Sequence, residues 1–170
     1  MVLVTWIGRL SLWSGRAAAL LVLPLVLAMV YEVVSRYFFD APTQWAFELS
    51  YMMMGTIFLL GLSYALLIDQ HVNVDFIHQK LPKRAIALID MTGYAILSAM
   101  LVWLTCALVD NVFSVYRTGE GSGLSAWNPK IWPYRAIYAV GFGLFALQSA
   151  ARAIENLLAA LGRPGMEQTP

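Results

Sequence analysis

Hydrophobic positions dominate this 170-residue chain in long unbroken blocks, while polar positions gather in short bands between them. Four charge-free runs, Ala17–Tyr31, Leu49–Ile68, Met91–Val109 and Ala136–Ala151, are extended by semi-polar ends to about 20 residues, the length a helix needs to cross about 30 Å of hydrocarbon. They predict four helices over about 15–37, 44–69, 85–116 and 134–161. The expected fold is therefore all-α: a single integral membrane domain of four transmembrane helices over residues 1–170. The third helix, at roughly 48 Å for its predicted length, must tilt, protrude or end early.

The polar bands refine this outline. Upstream of the first run, Trp6, Leu10, Trp13 and Ala17 recur at helical spacing, with Arg9 and Arg16 assigned to another face. This predicts a short interfacial helix with its tryptophans at the headgroup level. The first run continues without a small-x-small cleavage site, so it is read as an uncleaved span. Pro24 predicts a kink inside it, and Glu32 and Arg36 have the favourable order for a helical ion pair. The short turn 38–43 makes the first two helices antiparallel neighbours. A polar loop over Asp69–Arg84 separates the second helix from the third, and a Gly-rich segment at 118–123 leads into the fourth.

Composition narrows the function classes. Hydrophobic residues make up 60% of the chain and charged residues 12%, whereas roughly a quarter of a soluble domain is charged. The net charge of +1 leaves no basic surplus for a nucleic-acid backbone. The one cysteine, Cys106, lies in an apolar run and cannot form an intrachain disulfide. Arg9, Arg16, Lys80, Lys83, Arg84, Arg152 and Arg163 flank one side of the spans, and Arg36, Arg117, Lys130 and Arg135 the other. The positive-inside rule then places both termini in the cytoplasm.

Candidate chemistry is sparse. Transport sites carry ionisable groups within the membrane, yet Glu32, Glu48, Asp90, Asp110 and Arg135 all fall near predicted helix ends. Gln148 and Ser98 are the main polar exceptions inside spans and can hydrogen-bond across helices. His71, Asp75 and His78 stand at i, i+4 and i+7, a spacing open to a metal site, to haem ligation by the histidines, or to plain interfacial polarity. Gly119, Gly121 and Gly123 lack the strand-to-helix setting of a phosphate loop. Small residues at Gly61 and Ala65, Ala139 and Gly143, and Ala146 and Ala150 have the small-xxx-small spacing of packed membrane helices.

The segment Arg36-Tyr-Phe-Phe-Asp-Ala-Pro-Thr-Gln-Trp45-Ala-Phe-Glu48-Leu, followed by Gly61 and by His71-Val-Asn73-Val-Asp75, resembles the DctQ-like small membrane subunit of tripartite ATP-independent periplasmic (TRAP) transporters. Pro133, Gly141, Gly143 and Gln148 extend the resemblance, which covers about Tyr31–Gln148. Phe47 departs from it, since many relatives carry a second acidic residue beside the equivalent of Glu48.

The resemblance implies a non-enzymatic subunit in a bacterial inner membrane, without a cofactor. Its partners would be a large DctM-like membrane subunit, a periplasmic solute-binding protein and membrane lipids. It would support the large subunit during symport, with organic acids as the family-level solute, and Arg36, Trp45, Glu48, Gly61, His71, Asn73 and Asp75 become candidates for subunit contact or for structure. Two rivals stand beside it: a membrane-anchor redox subunit ligating haem through His71 and His78, and a stand-alone exporter using Glu48.

Overall fold

A computed structural model of the protein describes residues 2–68, 70 and 82–161. They form four helices: α1 over Val2–Phe38, α2 over Ala46–Leu67, α3 over Lys83–Thr118 and α4 over Trp132–Ala160. All four are long and apolar enough to cross a membrane, as the hydrophobic runs predict. Large side chains such as Leu20, Leu23, Met100 and Trp103 point away from the protein, the arrangement expected where hydrocarbon is the solvent.

The N-terminal segment is not a separate interfacial helix. It forms the first turns of α1, which runs unbroken through 37 residues and through Pro24. Ile7, Ser11, Ser14 and Ala18 are buried on one face of these turns. Gly15 permits the close approach: a Cβ there would lie 2.7 Å from Tyr64 Cβ. Arg9 and Arg16 also depart from their expected position, since each stacks over a tryptophan on the outward face.

Helix α4 is the hub, packing against α3, α2 and α1, while α3 packs chiefly on α4. Its buried positions explain this role, because Ala139, Gly141, Ala146, Ser149 and Ala151 are small enough to let neighbouring backbones approach. At Gly141 an added Cβ would stand 2.9 Å from Leu59 Cβ, whereas one at Gly61 would meet nothing within 4 Å. Leu66, Leu101, Phe145 and Ala146 form the core where α2, α3 and α4 meet.

Several polar groups inside the bundle are joined across helices. Ser11 Oγ donates to Gln148 Oε1 at 2.9 Å, Ser14 and Ser63 hydroxyls lie 3.0 Å apart, and Ser98 Oγ donates to the Ala146 carbonyl at 3.2 Å. The first and last of these carry out the cross-helix role expected of Gln148 and Ser98.

Candidate functional site: a braced helix end

Arg36, Trp45 and Glu48, three of the residues carrying the family resemblance, lie at one end of the bundle, where α1 ends, α2 begins and the α3–α4 connection folds back. Two buried carboxylates organise this end. Glu32 lies in the final turns of α1 and is enclosed, at 8% exposure. Its Oε1 accepts from Arg36 Nε at 3.0 Å, the ion pair predicted by their i, i+4 spacing. Its Oε2 accepts from the Thr43 backbone N–H at 2.9 Å and from the Thr43 hydroxyl. One side chain thus ties the end of α1 to the α1–α2 turn. The turn itself passes through Asp40 at φ 50°, a left-handed conformation that Asp tolerates better than most residues.

Trp45 closes the turn by stacking on Tyr31, with ring centroids 5.9 Å apart and planes at 24°. Three residues later, Glu48 is fully buried in the first turn of α2. The helix dipole favours a carboxylate at that position, but burial still demands a hydrogen-bond partner. The Ser122 hydroxyl supplies it, lying 2.8 Å from Oε1 and 2.9 Å from Oε2. Neighbouring Phe47 is 70% exposed, so the position of the family departure faces outward while Glu48 faces in.

The loop that delivers Ser122 has a specific local fold. Gly119 ends α3 in the left-handed conformation and donates its N–H to the Val115 carbonyl at 3.0 Å. Ser122 N donates to the Pro129 carbonyl at 3.0 Å, and Ile131 N donates to the Glu120 carbonyl at 3.2 Å. Asn128 Oδ1 accepts the Gly123 N–H at 2.9 Å. Gly121 lies so close to the Asn128 side chain that a Cβ would collide with it. The Gly-rich segment is thus a tight hairpin-like connection placed over the start of α2. Pro133, in the first turn of α4, then restarts the helix.

The opposite end has its own brace. Arg152 of α4 donates to the Leu66 carbonyl at 3.1 Å and the Leu67 carbonyl at 2.8 Å, and pairs with Glu155 at 3.2 Å. A guanidinium at a helix C-terminus satisfies orphan carbonyls and complements the dipole, here from another helix. Sequence reasoning treated Arg152 only as a flanking charge.

Of the seven candidate residues, Arg36, Trp45 and Glu48 lie at the same braced end, joined to Glu32, Tyr31 and Ser122 rather than to one another. Gly61 sits mid-helix with open space beside it. His71, Asn73 and Asp75, together with His78 of the haem and metal alternatives, lie outside the described residues. Thr43 and Ser122 were missed by sequence reasoning; the available signals were the turn chemistry before α2 and a hydroxyl within a Gly-rich loop.

No curated protein and no solved structure matches the chain. The family model described as "Tripartite ATP-independent periplasmic transporters, DctQ component" matches residues 25–159, a stretch that contains the whole braced end. The chain belongs to this DctQ family and is a small membrane subunit of a TRAP transporter.

Proposed function

We propose that this chain is a fixed, non-catalytic support in the inner membrane. It would widen the base on which a large DctM-like subunit moves solute and leave solute selection to that subunit and a periplasmic binding protein. The observation that carries this reading is the use of Glu48. The most enclosed carboxylate at the braced end binds the Ser122 hydroxyl and holds a loop in place. A solute or ion pathway instead requires groups free to exchange partners with the cargo. Glu32 is likewise joined to the α1–α2 turn, and Arg152 to the last carbonyls of α2.

With both termini in the cytoplasm, the braced end faces the periplasm. Its loop, including half-exposed Trp127 and exposed Leu124, then offers a firm surface to the loaded binding protein. Gly61 and the outward apolar faces of α2 and α3 are available to the large subunit. The solute class expected on family grounds is organic acids.

Reconstitution tests the division of labour. Proteoliposomes containing this chain alone should show no sodium-driven solute uptake. Uptake should appear when the large subunit and the loaded binding protein are both supplied. Transport by the chain alone would overturn the proposal.

A further inference from the structure

The outward face of the first turns of α1 combines charge and aromatic surface in a repeated pattern. The Arg9 guanidinium lies over the Trp6 ring, 5.8 Å from its centroid, and seven residues later that of Arg16 lies over the Trp13 ring at 5.5 Å. Trp6 and Trp13 are 61% and 66% exposed, and both arginines are exposed. At about 100° per residue, these four side chains fall on one stripe opposite the buried Ile7, Ser11 and Ser14. Neither guanidinium meets a carboxylate among the described residues.

We propose that this stripe binds the phosphate headgroups of acidic phospholipids. Two guanidinia without a carboxylate partner among the described residues, about 10 Å apart along the axis, face outward, and guanidinium matches phosphate oxygens in a bidentate fork. The cation–π contact with indole holds each guanidinium on the outward face and lowers the ordering cost of binding. The polarity of the whole stripe fits the same ligand. Beyond Arg16 it continues through exposed Leu20, Leu23 and Leu27, so a charged and aromatic head is followed by a purely apolar tail. A phospholipid has the same sequence of headgroup, interface and acyl chain.

Depth agrees with this order. Gly8 faces Leu67 and Gly15 faces Tyr64, which places both arginines at the depth of the last turns of α2, on the opposite side of α1. Long basic side chains there reach toward the headgroup layer and lay their stems along apolar surface.

The test uses the full chain in neutral detergent, titrated with phosphatidylglycerol or phosphatidylcholine and read by native mass spectrometry. The paired substitution Arg9→Gln with Arg16→Gln should weaken phosphatidylglycerol binding by about fivefold for each guanidinium, about twenty-five-fold together, and leave phosphatidylcholine unchanged. Arg9→Lys with Arg16→Lys keeps the charge but loses the planar bidentate fork, and should give an intermediate loss. Lys80→Gln with Arg163→Gln should have a smaller effect than the glutamine pair. Unchanged phosphatidylglycerol affinity in the glutamine pair, or an equal loss for both lipids, would overturn the proposal. If that variant fails to fold, wild-type protein in its native membrane can be treated with phosphatidylglycerol bearing a photoreactive headgroup. Adducts within residues 2–16 would sustain the assignment; adducts confined to other segments would refute it.

Discussion

Glu48 shows how one residue can carry an architectural role in a membrane protein. A carboxylate with no exposed surface must be hydrogen-bonded, and here its partner comes from a loop 74 residues away in sequence. The pair therefore couples the start of α2 to the α3–α4 connection. Ser122→Ala should destabilise the chain by about 1–3 kcal/mol, because it leaves a buried acceptor unsatisfied. A double-mutant cycle with Glu48→Ala should give a coupling energy of about 1 kcal/mol or more, measured by unfolding in mixed micelles. Either single variant should also speed proteolysis within 119–131; independent, additive effects would show that the pair is incidental. The Glu32–Arg36 pair was legible from spacing alone because it is local to one helix. The Ser122 partner was not, since no local period relates a loop hydroxyl to a distant helix start.

At the scale of elements, close helix approach depends on which small residues face a neighbour. Sequence spacing singled out Gly61 with Ala65, yet Gly61 faces open space, while Gly141 and Gly15 sit where a Cβ would press on α2 side chains. Spacing reports that a small residue recurs on a face, but the identity of the facing helix is a property of the assembled bundle. Gly141→Leu should therefore push α4 from α2 and cost about 1–3 kcal/mol. Gly61→Ala should be neutral or stabilising by up to about 1 kcal/mol through helix propensity. Thermal unfolding of the two purified variants checks the contrast, and equal destabilisation would contradict the packing described. The helices themselves were legible because uninterrupted apolar runs have few alternatives in a bilayer. The continuity of α1 through its first turns was not, because Trp and Arg near an apolar run suit both an interfacial helix and an extended span.

The whole molecule joins two braced ends through a polar-stitched bundle. One end is held by Glu32 and Glu48, the other by Arg152 across the last carbonyls of α2. Beyond the Arg9–Arg16 stripe the outer face of α1, like that of α3, is largely apolar and exposed, which suits lipid along much of their length and a protein partner along part of it. Family membership was legible from an ordered set of residues rather than from any one motif. The partner surface was not, since lipid and a membrane protein both select apolar side chains. As a fixed part of a larger membrane assembly, the chain should leave the membrane with its partner. Mild-detergent purification of the tagged chain from its native membrane, with mass spectrometry of whatever accompanies it, is the decisive measurement. A large polytopic membrane protein in near-equal amount is expected; recovery of the chain alone, or with a haem-bearing or soluble redox partner, would contradict a role as an assembly subunit.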